Sequence, residues 1–476
     1  MAALFSKTKK PEVHTRAQQV LWSAEQGLAA ADGPKDYAVV PSPRLKIAHF
    51  YQQSGIRFYE PQAAQLHIYH TMRGLQRAGH KVSLLALQGR RVLCTQDLQV
   101  FESDQLTASH YGQTGWSGTA VFKRFESGIR RLQSILHFPY LALFDSYRMA
   151  EAGYINLKGY HLIHERFNLL ALGGAWASRK LGIPFVLEVN ADLLEQRRFK
   201  GIQERGLRRL FAIWATRMCL KNAAQIICIS PRLKEHLNTK WNIDESKLTV
   251  LPCAADVEAF KPNHNSETVR KSLGLTTEPV VMWVGGFHPW HDLSLLLESF
   301  ALILQRRPDA RLVLVGDGQT RSSVVDIVTK DGLRHAVIMT GAIAHSQVPE
   351  MLSIADVAVV PSAPITASLG GTGTPLKLFE YMAAGKAIVA TALNEAAEVI
   401  LDGYNGLLVD AGDVNKFAEA TLKLIDDPEE RSRLGQNARE QAVKQYSWEH
   451  YTRRLEEIYL NVLGNAPSGS PATEIY

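Results

Sequence analysis

Cysteine is scarce in this chain of 476 residues: only Cys94, Cys219, Cys228 and Cys253 occur, with no CxxC pair and no metal-like cluster. That excludes a disulfide framework and a cysteine zinc site, and it fits a reducing compartment. No uninterrupted apolar run approaches the ~18 residues of a membrane span. The opening MAALFSKTKKPEV has no apolar core of signal-peptide length. Secretion and membrane spanning are therefore not expected, and a cytoplasmic location is. No GxGxxG follows a strand pattern, since Gly316 and Gly318 lead to Arg321, and Gly371 and Gly373 lead to Leu376. A dinucleotide-dependent oxidoreductase thereby loses its main support. A Walker A lysine, a GxSxG elbow, an HExxH pair and a DxD are missing as well. Three histidine pairs stand three residues apart, His67 with His70, His161 with His164 and His288 with His291. None has an evident third ligand, so no metal and no bound cofactor are expected.

What is present is a globular composition, 46% apolar and 21% charged, on a length that suits two domains. Charge is unevenly spread: 34 basic residues face 21 acidic ones up to Phe260, and 19 face 26 beyond it. Residues 1–44 carry little periodicity and read as an N-terminal extension. From Leu45, LKIAHF, HKVSLLAL, YHLIHE, IPFVLEVN, AAQIICIS and LTVLP read as strands. Helical stretches, among them AAQLHIYHTMRGLQRAG, alternate with them. After the polar stretch KPNHNSE the rhythm returns as VVMWVG, ARLVLVG, AVIMTG, DVAVVPS, KAIVAT and GLLVD, then a helical run over 428–463. The pattern predicts two doubly wound α/β domains, 45–260 and 261–445, a last helix over 446–464 returning to the first, and a tail over 465–476. Strand C-termini of both domains should face one crevice, where ligands of such sheets bind.

Two segments carry the chemistry. ITASLGGTGTPLKLFEYMAAGKAIVAT, residues 365–391, is a glycine-rich turn feeding a helix. Gly370, Gly371 and Gly373 let backbone amides approach a ligand, and Pro375 suits a first helical position. The helix N-terminus that follows favours an anion, so a phosphate is expected there. Lys377 in the first turn would be explained by that anion, and Glu380 can accept two hydrogen bonds from a ribose diol. An ordinary solvent pair of Lys377 and Glu380 is the plainer alternative. VGGFHPWHD, residues 284–292, is the second candidate phosphate loop. Gly285 and Gly286 free the backbone there, and His288 or His291 can donate to a diphosphate. A packed Trp290 between two wet histidines is the alternative.

These segments, with CISPRLKEHL, LTVLPCAADVEAFKP, ARLVLVGDG, ADVAVVPS and DGYNGLLVDAGD in the same order, resemble family 4 of the GT-B glycosyltransferases over roughly residues 45–460. The resemblance implies a GT-B fold and a retaining, metal-independent transfer from a nucleotide-diphosphate sugar to an acceptor hydroxyl, in polysaccharide, glycolipid or other glycoconjugate synthesis. It implies that Glu380 holds the donor ribose, while the family's first glutamate is replaced by Thr372. Contacts to the donor sugar would then fall to Thr372, Gly373 and Thr374, with Gly371, Pro375, Leu376 and Lys377 completing the expected donor-binding stretch. The family's arginine and lysine after the first strand are replaced by Gly286 and His291.

HLIHERF resembles the segment whose histidine contacts the transferred sugar, which points to His164 with Glu165 and Arg166 beside it. Glu188 and Asn190, and Gly55, Arg57 and Glu60 of the loop SGIRFYEPQ, are expected to line the acceptor side. His164, Lys377 and Glu380 are the expected catalytic residues. A sugar-nucleotide epimerase and a non-catalytic sugar-nucleotide binder remain as alternatives. The basic segments RFESGIRR (124–131) and RRFKGIQERGLRRLFAIW (197–214) interleave arginines with bulky apolar residues. Peripheral contact with an anionic membrane on its inner face and ordinary surface helices both fit them. Nucleic acid is not expected, because no binding motif accompanies the charge.

Overall fold

The computed structural model describes residues 43–464 except 54, 56, 57, 59–62, 104, 137–141, 200, 263–265 and 365–375. The expected extension over 1–44 thus lies almost wholly outside the described residues, as do the tail and the glycine-rich turn.

Runs rich in valine, isoleucine and leucine, buried on both faces, form two sheets. The first contains β1 (Lys46–Tyr51), β2 (Lys81–Gln88), β3 (Arg91–Thr95), β4 (Leu162–Arg166), β5 (Phe185–Val189), β6 (Gln225–Cys228) and β7 (Leu248–Val250), in the order β3-β2-β1-β4-β5-β6-β7. β3 is not among the strands the sequence pattern predicts. It returns from β2 through a turn with Gly89 at φ 58° and pairs antiparallel at the sheet edge, where alternation is weak. The second sheet is parallel throughout. It contains β8 (Val280–Val284), β9 (Arg311–Val315), β10 (Val337–Gly341), β11 (Val357–Val360), β12 (Ala387–Thr391) and β13 (Leu407–Val409), in the order β10-β9-β8-β11-β12-β13.

Chain direction across each sheet reverses at one point, between β1 and β4 in the first and between β8 and β11 in the second. Helices diverge there, and the crevice left at the strand C-termini is the natural ligand position. The helical run expected over 428–463 is two helices, Pro428–Gln445 and Trp448–Gly464, the second within the span expected for a last helix. They part at Tyr446 and Ser447, where the Tyr446 carbonyl accepts from the Ala255 amide at 2.8 Å. The second helix then joins the core of the first domain. Tyr451, Leu455, Ile458 and Tyr459 pack with Ile47, Ile68, Met72 and Leu75.

Candidate active site

One cleft of about 760 Å³ is lined from both domains: Ala63, Leu66, His67, Arg166, Asn190 and Cys253 on one wall, and the ends of β8, β9 and β11 with the Leu376–Ala383 helix on the other.

The second wall starts from glycine. Gly285 leaves β8 at φ 152° and Gly316 leaves β9 at φ 137°. A Cβ on Gly316 would stand 1.9 Å from the Gly285 carbonyl oxygen, and one on Gly285 would stand 2.5 Å from Lys377 Nζ. Only bare backbone lets the two strand ends and the lysine share this space. Lys377 Nζ lies 4.2 Å over the Trp283 ring and 3.4 Å from His291 Nε2. Burial pushes the Lys377 ammonium down to about 7, against the pull of Glu380. Burial, then Lys377, then His288 hold the His291 ring well below its usual range. His288 stacks on Trp290, ring centroids 4.3 Å apart, and its ring lies against Gly286.

The helix bearing Lys377 is pinned to the sheet. The Val284 amide donates to the Tyr381 hydroxyl at 2.7 Å, one residue before Gly285. Three residues after Lys377, Glu380 Oε1 meets His345 Nε2 at 2.7 Å. Burial alone would lower the His345 pKa, yet the hydrogen bond and charge of Glu380 raise it. His345 follows β10 and was not singled out from the sequence. A signal existed, since it stands just beyond a strand C-terminus of a doubly wound sheet. Gly285, Gly286, His288, His291, Leu376, Lys377 and Glu380 all line the cleft. Gly371, Thr372, Gly373, Thr374 and Pro375 lie outside the described residues.

On the first wall His164 does not line the cleft. It is fully buried, with Nδ1 2.5 Å from the Tyr459 hydroxyl and Nε2 3.4 Å from Glu188 Oε2. The chain's last described helix covers it. Arg166, two residues on along the same strand face and at the strand end, reaches the cleft instead. Glu165 points to the other sheet face, against Gly174 beneath the Gly173–Leu181 helix, and burial pushes it up to about 8. Glu188 is also buried and does not line the cleft. Its Oε1 accepts from Arg166 Nη1 and from Asn190 Nδ2, both at 2.6 Å, and so aims those two residues. Burial would raise the Glu188 pKa, but His67, Arg166 and His164 together hold it well below the carboxylate range. Gly55 is exposed on a turn after β1 and is not part of the cleft lining. Arg57 and Glu60 lie outside the described residues. Among the described residues no group of three His, Cys, Asp or Glu side chains is placed to hold a metal ion.

Residues 64–259 match the sequence model described as Glycosyltransferase Family 4, and residues 265–441 match Glycosyl transferases group 1. The chain is a family 4 glycosyltransferase. This glycosyltransferase is 27% identical over 288 residues to alpha-D-kanosaminyltransferase of Streptomyces kanamyceticus, covering 60% of this chain and 72% of that one. It is 23% identical over 312 residues to the Escherichia coli UDP-Gal:alpha-D-GlcNAc-diphosphoundecaprenol alpha-1,3-galactosyltransferase, covering 64% and 76%. The structure of HepE from Anabaena in complex with UDP and glucose superposes with a TM-score of 0.61 at 18% identity, over 87% of this chain and 99% of that one. The two domains of this glycosyltransferase form the GT-B fold.

Proposed function

We propose that this glycosyltransferase takes a nucleotide-diphosphate sugar as donor and transfers the sugar, with retention, to an acceptor hydroxyl without a metal ion. The observation that carries the reading is the convergence of Lys377, His291 and Glu380 on one side of a cleft whose other side presents Arg166 and Asn190. A diphosphate has the charge that a dry ammonium lacks, and Glu380 is an acceptor at the reach of a ribose from Lys377. HepE was solved with UDP and glucose, and the Escherichia coli relative is named for a UDP-linked donor, which supports a nucleotide sugar here. That relative is also named for a diphosphoundecaprenol acceptor. No helix among the described residues is long and apolar enough to cross a membrane. A lipid-borne acceptor would therefore be met at the bilayer surface.

In the proposed step the bond from the anomeric carbon to the diphosphate oxygen breaks as the acceptor oxygen bonds to the same face. The departing oxygen takes the acceptor proton. Lys377, recharged by the diphosphate, stabilises the developing charge, and Arg166 orients groups on the acceptor side. Retention rests on the family resemblance. Independence of metal rests on Lys377, which the diphosphate would recharge, together with the missing DxD.

The test is a panel of nucleotide sugars scored by thermal stabilisation and then by transfer, with the product anomer read by NMR and EDTA present in a parallel set. One nucleotide sugar should raise Tm and yield a retained product with and without EDTA. Stabilisation by none of the panel overturns the donor site. An inverted product or loss with EDTA overturns the corresponding part, and a new sugar nucleotide formed from donor alone identifies an epimerase. Because Lys377 is near 7 when free, donor binding should take up a proton above that pH, and donor affinity should weaken as pH rises from about 7 to 9.

A further inference from the structure

Two helices of the first domain carry large apolar side chains on the outside. In Ala120–Ile135, Val121, Phe125, Leu132 and Ile135 recur at helical spacing, with Leu136 just beyond, and all are at least 50% exposed. One ion cluster of this helix is on the inside. Glu126 is fully buried and held at 2.7 Å by Arg130 and at 2.7 Å by Arg148, beside the buried Phe122 ring. The ion cluster and Phe122 fasten the helix to the domain, and a row of apolar groups faces away from it. Exposed Arg124 and Arg131 flank that row.

The Gly206–Asn222 helix repeats the combination. Leu207, Leu210 and Trp214 form one stripe and are 57%, 63% and 49% exposed. Beside it a cavity of about 660 Å³ is lined by Arg198, Arg205, Arg209, Arg217 and Lys240, with Glu195 and Glu204 among them. Over 197–217 the chain has seven lysines or arginines against Glu204 alone, and over 120–136 four against the buried Glu126. Glu204 is itself occupied by Arg197 at 2.8 Å and Arg208 at 2.5 Å.

The two helices share a face of the first sheet. Arg148 and its helix Leu143–Asn156 carry the first, and Met149 and Ala152 of that helix lie in one core cluster with Ala215 and Cys219 of the second. The Trp448–Gly464 helix covers the opposite face. Leu143–Asn156 and Gly206–Asn222 each lead into a parallel strand, β4 and β6, so each begins at the edge where strands end and the cleft opens. Exposed Leu143 and Leu207 stand in those first turns.

We propose that this face docks the enzyme on an anionic phospholipid bilayer, the apolar rows entering the boundary of headgroups and acyl chains while the arginines pair with lipid phosphates. Charge chooses this occupant over a second copy of the chain, which would bring the same surplus of cations against it. The surface brings the cleft mouth to the membrane, and it stands whether or not the donor reading does.

The full-length protein is sedimented with phosphatidylcholine vesicles, with and without phosphatidylglycerol, at low and high salt. It should pellet with the anionic vesicles at low salt, be released by high salt, and stay in solution with phosphatidylcholine alone. Leu132→Glu with Ile135→Glu, and separately Leu210→Glu with Trp214→Glu, should each lower the bound fraction at least about tenfold with Tm unchanged. If a glutamate pair lowers Tm, Arg209→Gln with Arg217→Gln replaces it and should be released at lower salt than the parent. Parent protein left in solution with anionic vesicles at low salt overturns the proposal, as do variants that pellet like the parent. So does light scattering in which the glutamate variants convert a dimer to a monomer, since the face would then join two copies. Donor stabilisation, read without vesicles, keeps the outcome separate from the donor site.

Discussion

The two walls of the cleft reach a similar supply of positive charge by opposite routes. In the second domain the cation is dry: Lys377 sits over Trp283 and beside His291, and burial holds it down to about 7 against the pull of Glu380. In the first domain Arg166 is balanced in advance by buried Glu188, which also holds Asn190. The first arrangement awaits an anion to complete it. The second is complete before any ligand arrives and serves to hold a direction. A wall that binds a diphosphate and a wall that orients an acceptor would differ in this way.

The contrast breaks most severely at Glu380. Glu380→Ala should lower kcat/KM for the donor by at least about 100-fold, the loss of a charged acceptor to a sugar diol, and abolish donor-induced stabilisation. Near-normal kinetics would remove the ribose site. Gly316→Ala comes next. It places a methyl on the Gly285 carbonyl in a backbone region that favours glycine, and urea unfolding should register a loss of about 2 kcal/mol or more.

Arg166→Ala should lower kcat by about tenfold while leaving donor-induced stabilisation in place, whereas His164→Asn should lower Tm and leave kcat within about threefold. Reversal of those two results would return the sugar contact to His164. A further effect is on pH dependence. The folded Lys377 pKa lies below its unfolded value near 10.5, so between about 7 and 10.5 the unfolded chain holds a proton the folded one does not, and stability rises with pH across that window. Lys377→Met should flatten that rise and raise Tm near pH 7, while removing stabilisation by the donor. A variant whose unfolding curve keeps the parent's pH slope would show the lysine to be wet.

What the sequence made legible follows the same division. Gly285 to His291 is one loop, and Leu376, Lys377 and Glu380 are one helix, so local pattern and motif order sufficed to bring them together. Arg166, Asn190 and Glu188 come from the ends of two strands. Alternation along β4 separates Glu165 from its neighbours but leaves His164 and Arg166 on one face. What decides between them is Tyr459, far along the chain, which occupies the His164 ring. No spacing rule within HLIHERF contains that fact. His345 escaped for a similar reason: its partner Glu380 lies 35 residues on, beyond β11, although both stand where the fold rule points. The strands themselves were legible because both faces are buried. β3 was not, because an edge hairpin needs no such run.

The helix Trp448–Gly464 completes the core of a domain whose strands were laid down two hundred residues earlier or more. During synthesis the ribosome therefore delivers the entire second domain before the first can close. Until Leu455 and Tyr459 emerge, Ile47, Ile68 and Met72 wait with an apolar face uncovered, and His164 lacks its phenol. The long interval makes this the stretch of biogenesis in which a chaperone has most to hold.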